Sequence, residues 1–402
     1  MKAARDTKFI VILVDGAADF PLDELGGRTP LAAADTPNMD AVARGGVVGS
    51  LDPIPEGQSA GSDVGNLSVL GYDPDVYLTG RAPLEAAAMD IALGPADVAF
   101  RCNLVTLDDG VMQDYSAGHI STEEAAELIE SVEEALGTAN LRYHAGVQYR
   151  HILVAGEQYA ELGATPPHDI IGHDYAPYLP TGEGSEDVRE WMVASRAVLA
   201  EHPVNRKRVA AGKAPGNSTW LWGQGKAPTL PTYAAKYGVN GNAISAVDLV
   251  RGIARYAGLS VLHVDGITGF LDTNYVGKAE VGLSSLDDAD FVYIHVEAPD
   301  EAAHLGDAAA KIEAIEAIDR EIVARALAYA GGNAATRIAV LPDHITAIRT
   351  RTHAPGAVPF AACGVGIKGD GSTSYCEAVA AQGSLGFPSG HLWMDWFLGP
   401  TG

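Results

Sequence analysis

Apolar residues along this chain fall into short β-branched runs that stop abruptly at polar residues. Phe9–Val14 reads FIVILV and stops at Asp15; Phe291–Val296 reads FVYIHV and stops at EAPDEAAH; Ile338–Leu341 reads IAVL and stops at PDH. A half-exposed strand would alternate apolar and polar positions, so nearly continuous runs predict strands buried on both faces. Between them, Ala308–Ala328 (AAAKIEAIEAIDREIVARALA) carries apolar residues at spacings of three and four, the period of a helix. Ser121–Gly137 (STEEAAELIESVEEALG) is a second helix, with Ser121 as N-cap, Glu124 three residues on and Gly137 closing the end. Its acidic face reads as solvated. Strands of this kind alternating with helices predict an α/β fold, a mostly parallel sheet covered by helices on both faces.

The middle of the chain loses that rhythm. Residues 140–240 are crowded with Pro, Gly, His and Arg, as in YRHILVAG, PPHDIIGHDYAPYLPTG and NRKRVAAGKAPGNSTWLWGQGKAP. From Asn242 the strand–helix alternation resumes (NAISAVDLVRGIARYAGL). The pattern predicts a discontinuous core, residues 1–79 and 242–402, interrupted by an inserted α+β domain at 80–241.

Composition narrows the function. The 402 residues suffice for one large domain or two. With 47% hydrophobic and 20% charged residues the chain is not disordered. A net charge of −25 repels phosphate backbones, which argues against nucleic acid and anionic membranes as partners. No run approaches the ~18 apolar residues of a membrane span. The first run is expected to be a buried strand and not a signal peptide. Three scattered cysteines (Cys102, Cys363, Cys376) make neither a disulfide framework nor a thiolate zinc site, and fit a reducing cytoplasm.

Candidate chemistry gathers where the runs end, at the carboxyl edge where open parallel sheets bind ligands. Asp15 follows the first run; it reads as an Asp-Gly turn or as a carboxylate aimed at a metal. Asp300 and His304, four apart, share a face if a helix starts there, as an ion pair or as metal ligands. Asp343 and His344 are adjacent, and His353 follows nine residues later. Together these six supply three carboxylates and three imidazoles, a mixed O/N donor set suited to Mn, Zn, Co or Mg and large enough for two ions. Ser62, after the glycines of GQSAGSDVGNLSVLGYDP, falls at a helix N-terminus, either as an ordinary N-cap or as a nucleophile beside a metal. Ser59 and Ser68 compete for that role, Ser68 from inside the helical pattern. Basic residues that could hold an anionic substrate are Arg81, Arg150, His151, His168 with Asp169, Arg208, Lys226 and Lys278. Trp220 and Trp222 read as core packing or as a pocket wall.

These motifs resemble the cofactor-independent phosphoglycerate mutases of the archaeal type, within the alkaline phosphatase superfamily. The likeness is carried by VDGAADFPLDELGGRTPLAAADTPNMD, GSDVGNLSVLGYDP, YLTGRAPLEAA, FRCNLVTL, YRHILV, NSTWLWGQGKAP, AISAVDLVRGIA, DTNYVGKAE, YIHVEAPDEAAHLGD and RTHAPGAVPF. The resemblance implies an alkaline-phosphatase-like core holding two divalent ions, Mn first among them, and an inserted substrate-binding domain. It implies that Ser62 takes the phosphate of a phosphoglycerate and returns it to the other hydroxyl, with no 2,3-bisphosphoglycerate required. By motif, Asp300, His304 and His353 resemble one metal site, and Asp15, Ser62, Asp343 and His344 the other. Lys278, Arg150, His168 and Arg208 resemble substrate-binding positions. Asn66 stands where longer relatives carry histidine, and LPDHITAIRTRTH departs from the family's usual pattern after the metal pair. FRCNLVTL and STWLWGQGK also resemble a bacterial branch proposed to act as a homoserine kinase, so phosphoryl transfer to another alcohol, or phosphomonoester hydrolysis, is the alternative. Protonation of imidazole ligands below ~6.5 should compete with metal. Activity is therefore expected to fall in mild acid and to recover partly with excess metal; a flat profile down to pH ~5 would contradict this.

Overall fold

In the computed structural model, which describes residues 7–383 and 385–399, the three apolar runs lie side by side at the centre of one sheet. β1 (Lys8–Val14) lies between β2 (Phe291–Val296) and β3 (Thr336–Leu341) and is parallel to both, with Phe9 opposite Phe291 and Lys8 opposite Thr336. All residues of these strands except Lys8 are buried, the continuous burial that the unbroken runs predict. On one face Ile10, Ile12, Val14, Val292 and Ile294 pack with Leu283, Ile315 and Ile318. On the other, Phe9 meets Phe397 with ring centroids 5.9 Å apart, and Phe291 meets Tyr233 at 4.9 Å.

The sheet has eight strands among the described residues. Beyond β2 come Gly241–Ile244 and Ser260–Val261, both parallel. Beyond β3, Val358–Gly364 runs antiparallel and pairs in turn with Gly46–Leu51, again antiparallel, with the short Gly386–Phe387 at the edge. The sheet is therefore mostly parallel, as expected, with one reversed strand.

Four helices bring polar side chains to this sheet: α1 (Ser62–Val69), α2 (Tyr275–Ser284), α3 (Ala298–Leu305) and α4 (Ala308–Ile318). The helix expected over Ala308–Ala328 is not uniform. It widens into a π-turn at Asp319–Val323 before continuing as Ala324–Gly332. The buried Asp319 accepts from the N–H groups of Asn38 (3.1 Å) and Met39 (2.6 Å), capping the separate helix Pro37–Arg44.

The chain divides into two compact units, residues 1–78 with 229–402, and residues 79–228. The return to the first unit comes earlier than the 241/242 boundary expected from sequence. Residues 229–241 look irregular, yet the Tyr233 hydroxyl donates to the Leu70 carbonyl (2.9 Å) and the Pro231 carbonyl accepts from Tyr72 (2.7 Å). The second unit is α+β. Its long strand Asp97–Asp108 pairs antiparallel with Val111–Asp114, Arg150–Gly156 and Ser218–Gly225. Helices Thr122–Leu136 and Ser185–Leu199 bury Leu128, Ile129, Val188 and Met192 against Phe100, Leu104 and Trp220. Ala82 and Ala86 pack instead on Ala99, Ile152 and Val154, which alternate to the opposite face. Ser121 Oγ caps the first helix through the Glu124 N–H (3.2 Å), but the Glu124 carboxylate pairs with Arg208 and does not complete a reciprocal box.

The Asp319 cap is a specific structural commitment. Asp319→Ala should lower stability by roughly 1.5–3 kcal/mol, the range for a hydrogen bond to a charged group, read as a lower midpoint of urea unfolding. An unchanged midpoint would show that water replaces the carboxylate.

Candidate active site and metal centre

Three adjacent parallel strands end at the same edge, and each delivers an acid there. The Asp15 N–H continues the ladder to the Val296 carbonyl (3.0 Å), so its side chain starts where the sheet stops. Gly16 must follow. Its φ is +59°, and a Cβ there would lie 2.5 Å from Asp300 Oδ1 and 2.6 Å from Thr346 Oγ1. After β2 the chain turns into α3, which carries Asp300 and His304 on one face, as their spacing predicts. After β3 come Asp343 and His344, then a hairpin of Ile345–Ala347 and Thr352–Ala354 that returns with His353. α1 opens at Ser62. Gly65 lets it approach closely, since a Cβ would sit 2.5 Å from the Asp343 carbonyl oxygen.

All seven sequence-derived positions come together in the first unit. His304 Nε2 lies 3.2 Å from Asp300 Oδ2 and 3.0 Å from His353 Nε2, and His353 Nε2 lies 3.4 Å from Asp300 Oδ1. His344 Nε2 lies 3.5 Å from Asp15 Oδ1, 3.4 Å from Asp343 Oδ2 and 3.2 Å from Ser62 Oγ. His344 is grouped at ligand distances with Asp15 and Asp343 and also with Asp300 and His353. The resemblance assigned it to one group only; the fold places it between both. Of the competing serines, Ser62 reaches the cluster, Ser68 is buried within α1, and Ser59 is exposed.

The hydrogen bonds fix which imidazole nitrogens face inward. His304 Nδ1 meets the Arg351 carbonyl (3.0 Å) and His353 Nδ1 the Ala60 carbonyl (3.3 Å). Carbonyls only accept, so both Nδ1 atoms carry hydrogen and both Nε2 atoms turn toward Asp300. Electrostatics is set by crowded acids. Burial holds the Asp15 carboxyl well above its usual range, and Asp343, Asp300 and Glu297 push it further. For Asp300 burial works in the same direction, but the hydrogen bond from His304 and the neighbouring His353 and His344 imidazoles outweigh it and hold the carboxyl well below its usual range. Burial lowers His344 and keeps it neutral. The hydrogen bond to Asp300 raises His304 to about 9.

A divalent cation fits these residues. Among the described residues Asp15 Oδ1 is buried with no hydrogen-bond partner, three carboxylates converge, and imidazole Nε2 atoms converge with them. The mixed O/N donor set suits Mn, Zn, Co or Mg.

The pattern of the 2,3-bisphosphoglycerate-independent phosphoglycerate mutase family matches residues 43–205. The chain is 48% identical to the 2,3-bisphosphoglycerate-independent phosphoglycerate mutase 2 of Methanothermobacter thermautotrophicus, over 98% of both chains. The chain belongs to this mutase family. Solved structures agree in fold: a Pyrococcus horikoshii protein superposes with a TM-score of 0.82 at 30% identity, covering 99% of this chain and 98% of the other. A cofactor-independent phosphoglycerate mutase from Thermoplasma acidophilum gives 0.69 at 30% identity, covering 98% and 99%.

Within this mutase fold, sequence reasoning singled out Asn66 and Lys278 but missed His295. His295, inside the second apolar run, is fully buried and its Nε2 lies 2.8 Å from Asp15 Oδ2, while Nδ1 meets Ser245 Oγ at 3.1 Å. A histidine in a strand otherwise free of polar side chains except Tyr293 was the available signal. Asn66 donates to Asp343 Oδ2 (2.7 Å) and to the Ser62 carbonyl (3.0 Å), and accepts from the Tyr293 hydroxyl (2.7 Å). The amide thus ties α1 to the end of β3. Lys278 lies on α2, is fully buried and donates to the His295 carbonyl (3.0 Å); burial lowers it to about 8 although Glu297 and Asp15 act to raise it.

The basic candidates of the second unit separate into two sets. Arg101, which the sequence pattern of FRCNL did not mark out, is half-buried, paired with Glu85 (2.9 Å) and laid 4.2 Å over the Trp222 ring. His168 meets the same Trp222 edge-on at 5.4 Å, with Asp169 3.6 Å away. Arg81 and Arg150 lie near enough for their charges to act on Arg101. The other candidates do not join this cluster. Arg208 is buried and spends its donors on the carbonyls of Ala214 (2.9 Å) and Ala117 (2.6 Å) and on Glu124, which makes it a structural tie. His151 is buried, accepts from the Gly146 N–H (3.0 Å), and is driven down to about 3 by desolvation. Lys226 pairs with Glu157 at 2.7 Å on the surface. Trp220 is core.

The raised His304 extends proton competition well above the ordinary imidazole range. Its folded pKa exceeds the unfolded value, so the Asp300–His304 pair stabilises the metal-free protein fully below pH ~6.5 and is lost as pH rises through about 9. Divalent metal has to displace that proton. Mn²⁺ affinity should therefore rise up to about pH 9 with release of about one proton, measured calorimetrically in buffers of different ionisation heat. A pH-independent affinity between 6.5 and 9 would contradict the assignment.

Proposed function

We propose that this protein interconverts 3-phosphoglycerate and 2-phosphoglycerate through a phosphoserine at Ser62, without 2,3-bisphosphoglycerate, at a centre for two divalent ions. The observation that carries the reading is Ser62 Oγ 3.2 Å from His344 Nε2, the residue shared by both ligand groups. Asp300, His304 and His353 would hold one ion, and Asp15, Asp343 and His344 with Ser62 the other. Bound ions supply charge neutralisation for the phosphoryl group and favour the serine alkoxide.

The chain's own residues account for the rest. Ser62 Oγ, at the N-terminus of α1 where the helix dipole favours negative charge, attacks phosphorus. The Oγ–P bond forms, the P–O bond to glycerate breaks, and the Ser62 proton leaves as the released glycerate oxygen gains one. The second hydroxyl of glycerate then attacks the phosphoserine, reversing the same bond changes. Asn66 holds the backbone of Ser62 and Asp343 in register, and His295 holds Asp15. In the second unit, the guanidinium groups of Arg81, Arg101 and Arg150, beside Trp222 and His168, form a cluster suited to a carboxylate. The family resemblance puts Mn first, and the mixed O/N donor set suits Mg, Zn or Co as well. The free cysteines Cys102, Cys363 and Cys376 support a reducing cytoplasm. Among the described residues no helix is long and apolar enough to cross a membrane.

The test is a coupled assay of Mn²⁺-loaded protein with 3-phosphoglycerate, detecting 2-phosphoglycerate through enolase without added bisphosphoglycerate. Turnover abolished by chelator is expected, and Ser62→Ala should lower it by about 10⁴-fold or more with folding intact. Steady release of inorganic phosphate would overturn the mutase reading in favour of a phosphatase. Retained turnover in Ser62→Ala would remove the nucleophile assignment. Turnover with homoserine and ATP but not with phosphoglycerate would move the substrate to another alcohol.

A further inference from the structure

One side chain touches both ligand groups without belonging to either. Thr346 is fully buried. Its Oγ1 lies 2.5 Å from Asp300 Oδ1 and 3.0 Å from His344 Nδ1, and in the hairpin it is the direct cross-strand partner of His353. Asp300, His344 and His353 are the members of one ligand group, and His344 also belongs to the other with Asp15 and Asp343.

The directions of these hydrogen bonds follow from chemistry. A carboxylate only accepts, so the single hydroxyl hydrogen of Thr346 goes to Asp300. The oxygen's lone pair is then what meets His344 Nδ1, which must carry the hydrogen. A neutral imidazole with hydrogen on Nδ1 has its lone pair on Nε2, the atom that faces Ser62, Asp15 and Asp343. The hydroxyl thus relays the charge of Asp300 into the tautomer of His344.

The hydroxyl is held from several sides. The Thr346 N–H donates to the Ala18 carbonyl (3.1 Å). Its carbonyl accepts from Lys311 Nζ (2.8 Å), a fully buried ammonium that also donates to Asp19 Oδ2 (2.8 Å) and the Ala18 carbonyl (3.3 Å). Lys311 has three hydrogens, and all three go to the loop after β1 and to the hairpin. Gly16 closes the remaining side, where a Cβ would lie 2.6 Å from Thr346 Oγ1. The branched Cβ of threonine further limits χ1.

We propose that Thr346 is a positioning residue that couples the two ligand groups, holding Asp300 in place and fixing His344 as the Nδ1–H tautomer so that Nε2 is available as a ligand. This rests on the two-ion reading of the centre. It predicts that one hydroxyl supports both sites. Groups hydrogen-bonded to ligands in this way change metal affinity by about 10–100-fold when removed.

The test compares metal-free wild type, Thr346→Val and Thr346→Ser. Valine keeps the shape and removes the hydroxyl; serine keeps the hydroxyl. Calorimetric titration with Mn²⁺ should show Thr346→Val weakened about 10–100-fold, with Thr346→Ser restored most of the way. Long-range ¹H–¹⁵N NMR of the His344 ring should show the Nδ1–H tautomer in metal-free wild type and Thr346→Ser, and a mixture in Thr346→Val. Wild-type affinity in folded Thr346→Val, or an Nε2–H tautomer in wild type, would overturn the proposal. If Thr346→Val does not fold, the wild-type tautomer and the serine variant still decide it. Wild type that binds no Mn²⁺ would instead refute the two-ion reading, while the ring tautomer would still report on the hydroxyl relay.

Discussion

Mutual repulsion of carboxylates at one sheet edge is the constraint around which this protein is organised. β1, β2 and β3 are neighbours, all parallel, so their C-terminal ends face the same way and bring Asp15, Asp300 and Asp343 together by topology alone. Burial makes the crowding worse, since ionised groups lose water there. The response is visible in each acid. Asp300 is held ionised by the imidazoles around it, Asp343 accepts from Asn66 and the Gly16 N–H, and Asp15 leans on His295 while one oxygen has no hydrogen-bond partner among the described residues. Such a set asks for cations, and the imidazoles that face it present the nitrogen a cation would use.

The surrounding scaffold makes that set rigid. Glycines stand where backbones must touch: Gly16 against Asp300 and Thr346, Gly65 against Asp343. Hydrogen-bonding groups stand where orientation must be fixed, with Thr346 between Asp300 and His344 and Asn66 between α1 and β3. Buried ammonium groups close the layer beneath, Lys311 under the hairpin and Lys278 under His295. A nucleophile on a helix N-terminus is useful in phosphoryl transfer only if its distance to the charge-stabilising groups is set before the substrate arrives, because electrostatic stabilisation works by preorganisation. Under the proposed function, the rigid elements that carry Ser62, Asp15, Asp300 and Asp343 would meet that requirement.

The second unit solves a different problem. An overall charge of −25 repels anions, so the proposed function requires local recognition of its substrate. Arg101 is half-buried, paired with Glu85 and laid over the Trp222 ring, which limits where the guanidinium can go; His168 packs on the same ring. A planar fork fixed in this way matches a carboxylate better than a solvated lysine such as Lys226. Arg208 shows the opposite use of the same residue type, with its donors spent on backbone carbonyls that would otherwise be buried without partners.

The three central strands were legible along the chain, because only residues buried on both faces form such apolar runs. So were the acids and imidazoles after them, because a charged residue directly after a buried strand has to sit at the sheet's end. The shared helix face of Asp300 and His304 was legible too, since a spacing of four leaves no other choice. Whatever depends on contacts between distant segments was settled only by folding. His344 serves both groups because the hairpin folds back beside α3. Tyr233 draws residues 229–241 into the first unit. Asp319 opens a π-turn in order to cap a helix about 280 residues away in sequence. Arg101 and Arg208 could not be told apart along the chain, since local sequence shows a charge but not the partner that consumes it. Thr346 was invisible for the same reason: a hydroxyl has no periodic signature, and its role exists only once Asp300 and His344 are brought to either side of it.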